Sequence, residues 1–252
     1  MRLADFDRLI RDLLALDTAV PGDEALNGLQ VANERGEANR IAFAVDACLE
    51  SIRRAVEWKA DVLFVHHGLF WGAPSALTGG LYRRLRELMA GDCALYAVHL
   101  PLDLHPELGN NAVLARRLGL RGLEPFGEYR GVRIGFQGEL PEPKSLQELQ
   151  SLLLGGRPAP AVLPFGPQLV RTVGIVSGGA AMEALQAIER KLDLFITGEP
   201  SHAVYHYCLE GGINVLFGGH YLTEVGGVSG LAEHLGSKHG LDTVFLDIPT
   251  GL

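Results

Sequence analysis

RIAFAVDACLESIRRAVEWKADVLFVHHG, residues 40–68, decides how the rest of the chain is read. Its first segment, RIAFAVDA, alternates and then turns apolar, as a strand entering a core does. CLESIRRAVEWKA follows with apolar residues at helical spacing, and DVLFVHHG reads as a second, buried strand. Strand, helix and strand at these lengths form a βαβ unit, whose crossover makes the two strands parallel. The second strand ends in His66 and His67, so two imidazoles stand where a buried element meets solvent.

Outward from this unit, MRLADFDRLIRDLLALD reads as an amphipathic N-terminal helix rather than a signal peptide, and PGDEALNGLQV as a turn-rich lead. On the other side come a loop (LFWGAPSALTGG), a helix (LYRRLRELMAGD) and a third strand, CALYAVHLPLD. Residues 171–199, RTVGIVSGGAAMEALQAIERKLDLFITGE, repeat the order strand, Gly-containing turn, helix, Asp, strand. Each copy is followed by another helix and strand, and each third strand ends in a histidine with a carboxylate four residues on: His99 and Asp103, His220 and Glu224. Matching order and a repeated H-x-x-x-[DE] indicate an internal pseudo-repeat. Between the copies lie a strand, VRIGFQGEL, a helix with a capping-box start from Ser145 to Glu148, and the Pro-rich RPAPAVLPFGPQ. The expected fold is α/β: two α/β lobes built from related βαβ units. The lobes span residues 1–125 and 126–252, and the final strand, DTVFLDIP, is able to return to the first lobe.

Composition excludes several function classes. The formal net charge is −8, with no block of Lys or Arg, so the basic footprint of a nucleic-acid binder is missing. No apolar run approaches the ~18 residues of a membrane span, so a soluble, cytoplasmic protein with no membrane partner is expected. Cys48, Cys93 and Cys208 are isolated and odd in number, which argues against a disulfide framework or a thiolate metal site.

In an open α/β sheet, ligands bind beyond the carboxyl ends of the strands. Three such ends carry His66 and His67, His99 and Asp103, and His220 and Glu224. Side chains alternate along a strand, so adjacent histidines share a face only beyond the last paired residue, where they can serve neighbouring ions. Imidazole and carboxylate donors without Cys suit Zn, Fe, Mn or Co. Five or six ligands exceed the usual three of a mononuclear catalytic zinc, and a carboxylate such as Glu224 can bridge two ions. Other features read more plainly. VSGGAA (residues 176–181) reads as a tight turn before it reads as a phosphate cradle, and His202 and His206 as an exposed helical face. His105, His234 and His239 read as surface residues, Trp58 as packing, and Trp71 stands close enough to the His pair to wall a pocket.

VHHGLFW, VHLPLDLHPELGNNAVLARRLGL, ITGE, GHYLTEVGG and the NGLQV at Asn27–Val31 resemble the Nif-three-like dinuclear metal-centre family, the GTP cyclohydrolase type-two homologues, over nearly the whole chain. The resemblance implies a two-metal site between two lobes and a homohexameric ring. Carried onto this chain, its ligands are His66, His67, Asp103, His220 and Glu224, with His99 beside the metals. Tyr221 stands where some relatives repeat a histidine, so that position offers no imidazole. Two divalent ions (Zn, Fe, Mn or Co) are the expected cofactors. Two functions compete: a metal-dependent hydrolase acting on a small polar substrate such as a nucleotide or phosphoester, and a non-enzymatic metal-binding assembly protein for storage, delivery or partner regulation.

Overall fold

The computed structural model describes residues 1–252 and contains two sheets, each belonging to one of two compact units. The first unit comprises Met1–Leu102 and Val228–Ile248, the second Asp103–Gly227 and Pro249–Leu252. No helix is long and apolar enough to cross a membrane.

The first unit opens with α1 (Leu3–Leu14) and β1 (Gly28–Val31). β2 (Arg40–Asp46), α2 (Leu49–Glu57), β3 (Val62–His67), α3 (Gly79–Ala90) and β4 (Ala94–Ala97) then form the expected βαβαβ run. β11 (Asp242–Phe245) joins β2 in parallel, and the sheet order is β1-β4-β3-β2-β11 with β1 antiparallel to β4. Register dictates the packing. Phe43, Phe64 and Tyr96 occupy matching positions on β2, β3 and β4; Phe64 stacks on Tyr96 at 5.7 Å and meets Phe43 tilted by 36° at 5.2 Å. Phe6 of α1 meets Tyr96 edge-on at 5.5 Å, and the Tyr96 hydroxyl donates to Asp7 at 2.9 Å. On the alternate positions, Ala42, Leu63 and Leu95 pack with Ile52 of α2 and Leu88 of α3. β3 is covered on both faces, which is why it reads as a continuous apolar run.

In the second unit α4 (Leu100–Leu104, its last two residues), α5 (Asn110–Leu118), β5 (Arg121–Tyr129), β6 (Val132–Ser145), α6 (Leu146–Leu154) and β7 (Ala161–Pro164) precede the second copy. That copy is β8 (Leu169–Ile175), α7 (Ala184–Glu189), β9 (Leu194–Thr197), α8 (Tyr205–Gly211) and β10 (Asn214–Phe217). β8, β9 and β10 are parallel neighbours, as β2, β3 and β4 are. Both copies brace their strand entrance in one way. Asp61, before β3, accepts from the Asn39 and Arg40 amides at 2.8 and 3.0 Å; Asp193, before β9, accepts from those of Arg171 and Thr172 at 2.8 and 2.9 Å. α9 (His220–His239) follows β10; its residues up to Gly227 belong to the second unit and the rest to the first.

The structure departs from the sequence reading in several places. Residues 103–125, assigned to the first lobe by the sequence, lie in the second unit, because α5 packs through Leu114, Ala115 and Leu118 into the core of the second sheet. The turn-rich GLQV is the short strand β1, and AVLP within the Pro-rich stretch is β7. Residues 121–129 form β5, paired with β6 through a two-residue turn in which Arg130 and Gly131 both have positive φ (48° and 86°), the signature of a type I′ hairpin. The capping box from Ser145 to Glu148 is present as expected.

Candidate metal centre

In the first unit, His66 and His67 lie at the end of β3, where pairing with β4 has already stopped at Val65–Ala97. Released from that neighbour, the two rings come within 4.7 Å of each other, and His99, just after β4, lies 5.1 Å from His66 and 5.6 Å from His67. One nitrogen from each of the three falls within 4.8 Å of the others, a spacing that could hold an ion. His66 is fully buried, while His67 and His99 are partly open, with side chains 19% and 23% exposed. Gly68 permits this corner: a Cβ there would collide with the Gln30 amide and come 2.6 Å from Ala97 Cβ.

Each ring is oriented by an oxygen acceptor on Nδ1. His66 Nδ1 donates to Val98 O at 2.9 Å, His67 Nδ1 to Asp46 at 2.9 Å, and His99 Nδ1 to Asp23 at 2.9 Å. A carbonyl or carboxylate only accepts, so Nδ1 carries the proton and Nε2 keeps its lone pair in the neutral ring. Asp46 is the β2 residue in register with His67, and Asp23 also accepts from Asn27, whose own side-chain oxygen takes the His99 amide at 2.8 Å. Burial alone would raise Asp23, but the hydrogen bonds from His99 and Asn27 outweigh it and hold the carboxyl below the usual range.

In the second unit His220 opens α9, and Glu224 lies one turn on, its carboxylate 3.2 Å from His220 Nε2. His220 Nδ1 donates to Glu199, immediately after β9, at 2.6 Å. Glu224, with Glu199 adding to it, pushes the imidazole up to about 9 against the opposing effect of burial. Asp103, in α4, is buried, and its Oδ1 accepts from Asn110 at 2.8 Å and Ser177 at 3.2 Å. The VSGG turn packs directly on this group. Gly178 has φ +68°, and a Cβ there would collide with Glu224 and lie 3.3 Å from His220 Nε2. Three of its N–H groups are engaged by side chains: Ser177 donates to Asn111, Gly178 to Thr223 and Ala180 to Thr197. The turn is therefore a close-approach device.

The donor set of imidazoles and carboxylates fits a borderline divalent ion such as Zn, Fe, Mn or Co. Thiolates do not contribute: Cys93 and Cys208 are buried, and burial pushes the Cys93 thiol up to about 12. His202 and His206 are exposed, on a 3-10 turn and on α8. His105 is not a bystander, since its Nδ1 accepts from the Glu107 and Leu108 amides. Sequence reasoning gave no role to Asp46, Asp23, Glu199, Asn110 or Ser177. The strand register of Asp46 and the acidic end of ITGE were the signals present for the first and third.

A two-sheet α/β chain whose strand ends carry histidines with acceptor-oriented rings defines a class of α/β proteins with candidate metal-binding groups. Within it, the chain belongs to the Duf34/NIF3 (NGG1p interacting factor 3) family, whose model matches residues 1–250. It is 46% identical over 253 residues to the GTP cyclohydrolase 1 type 2 homolog of Archaeoglobus fulgidus, covering 100% of both chains. Among solved structures, TTHA1606 from Thermus thermophilus is 42% identical with TM-score 0.88 and 100% of both chains covered. Reduced HcgD from Methanocaldococcus jannaschii is 27% identical with TM-score 0.84 and 98% of both chains covered.

Proposed function

We propose that the protein is a dinuclear-metal-dependent hydrolase acting on a small polar substrate such as a nucleotide or phosphoester. In this reading His66, His67, Asp103, His220 and Glu224 hold two divalent ions, with His99 beside them. The observation that carries it is the shared orientation of the histidines: His66, His67, His99 and His220 each give Nδ1–H to a carbonyl or carboxylate oxygen. Metal-ligating histidines are held in this way, because the acceptor fixes the tautomer and raises the basicity of the other nitrogen.

Divalent ions supply Lewis-acid charge, which polarises a substrate oxygen and brings the ionisation of water towards neutrality. The chain's own residues do the remaining work. Asp46, Asp23 and Glu199 fix three rings, and Asn110 and Ser177 fix the Asp103 carboxylate. The name borne by the curated relatives, GTP cyclohydrolase 1 type 2 homolog, supports including nucleotides among the substrates screened.

The test is elemental analysis of tag-free protein purified without chelator, followed by turnover of nucleotides and of bis(p-nitrophenyl) phosphate. About two metal equivalents per chain, reduced in His67→Ala and His220→Ala, with turnover lost in Glu224→Gln, is the expected result. Metal well below one equivalent after incubation with Zn, Mn and Fe(II) overturns the reading. Full metal with no turnover of any substrate favours storage or delivery.

A further inference from the structure

A cavity of about 330 Å³ in the first unit is lined by residues 24–26 and 70–74, outside the ligand set proposed above. Its two walls are tied through the backbone. Leu26 N–H donates to Phe70 O at 3.0 Å, Gly72 N–H donates to Glu24 O at 2.6 Å, and Ala25 and Trp71 form an antiparallel bridge. The walls are set before any ligand arrives, which lowers the ordering cost of binding.

Trp71 stands between this cavity and the imidazoles. Its ring meets His99 edge-on at 4.9 Å and 76°, and lies 6.1 Å from His67. The indole N–H is already satisfied by Gly68 O at 3.0 Å, yet the residue is 38% exposed. An indole whose polar edge is occupied and whose ring remains accessible offers a stacking surface. Glu24, exposed on the opposite wall, supplies a carboxylate, a group that only accepts and that matches a pair of adjacent N–H donors. The volume is at the lower end of small-molecule sites, enough for one heterocycle and an attached sugar.

We propose that this cavity binds a flat nitrogen heterocycle with adjacent N–H donors, stacked on Trp71 and hydrogen-bonded to Glu24, as the recognition subsite beside the imidazole cluster. Its part in a reaction rests on the hydrolase reading above, whereas the binding itself does not need the ions.

The chain holds two tryptophans, so Trp58→Phe leaves Trp71 as the sole indole emitter. Trp58 lies 4.3 Å under the Arg40 guanidinium, a stacking contact that Phe preserves. Guanosine, which pairs a ring N–H with an exocyclic amine, is titrated against this variant, with inosine, lacking the amine, as the comparison. Saturable quenching by guanosine is expected, about tenfold weaker for inosine and in a Glu24→Gln background, the loss of one charge-assisted hydrogen bond. Retention of guanosine in equilibrium dialysis is lost in Trp71→Leu with circular dichroism unchanged; if that variant misfolds, the Glu24→Gln comparison decides. Quenching that never saturates, or equal affinity for guanosine and inosine unaffected by Glu24→Gln, overturns the subsite. Metal content and turnover measured on the same samples separate the two readings: saturable, Glu24-dependent quenching without metal removes the hydrolase and keeps the subsite, and full metal with turnover but without quenching does the reverse.

Discussion

At the scale of single residues, the histidines are governed by what holds their far nitrogens. His67 has its Nδ1 on Asp46 at 2.9 Å, an orientation that turns Nε2 away from that carboxylate. Asp46→Asn puts an amide in that place, which can equally donate to Nδ1 and reverse the tautomer. Metal affinity measured by competition with a chelator should fall by roughly 10–100-fold, with the fold retained. Gly178 is the second position where one atom decides. Its φ of +68° lies in the left-handed region, and an added methyl would meet Glu224 and His220. Gly178→Ala should therefore cost about 1–2 kcal/mol in denaturant unfolding from the backbone alone. It should also lower metal content, whereas Gly131→Ala, which has positive φ but nothing within 4 Å of its Cβ, should lower stability only.

At the scale of elements, the central strands were legible in the sequence, and of the four edge strands only β11 was. β2, β3, β4, β8, β9 and β10 are covered by neighbours, so their apolar runs announced them, and the Asp that braces each copy appeared at nearly the same place. β1, β5 and β7 are edge strands that read as turns or linkers in the sequence. An edge tolerates what a centre cannot: β5 carries Gly122, Pro125 and Gly127, and β7 ends in Pro164, residues that signal a turn when pairing is unseen. The site divides along the same line. His66, His67, His99, Asp103, His220 and Glu224 stood out in the sequence as candidates after strand ends, but the partners of His99 and Asp103, Asp23 and Ser177, did not. Those contacts join segments 76 and 74 residues apart, and only the folded chain relates them. The aromatic row of Phe43, Phe64, Tyr96 and Phe6 supports the strand that bears the histidine pair. Phe64→Ala, at a fully buried position, should cost about 3–5 kcal/mol in chemical denaturation.

At the scale of the whole molecule, protons and ions compete, and the competition has a definite sign. His220 is held up to about 9 by Glu224 and Glu199, above the ~6.5 of an unfolded histidine. In metal-free protein that stabilisation is complete below about pH 6.5 and is lost as pH rises through about 9. An ion needs the deprotonated ring, so below pH 9 it must expel this proton, and its apparent affinity rises with pH over the same window. Because an ion that binds only the folded form stabilises it in proportion to the logarithm of that affinity, its contribution grows as the proton's fades. At the acid end both forms behave alike. Asp92, held low by the Glu34 amide and Arg35, and Asp23, held low by His99 and Asn27 against burial, contribute stability above the ordinary carboxylate range that is lost as pH falls through their own pKa values. Thermal unfolding between pH 6.5 and 9 should therefore give a falling Tm for chelator-treated protein. The gap between loaded and treated samples at fixed free Zn or Mn should widen with pH. A gap that is constant or narrows would mean that no ion displaces the His220 proton, and would remove His220 from the ligand set.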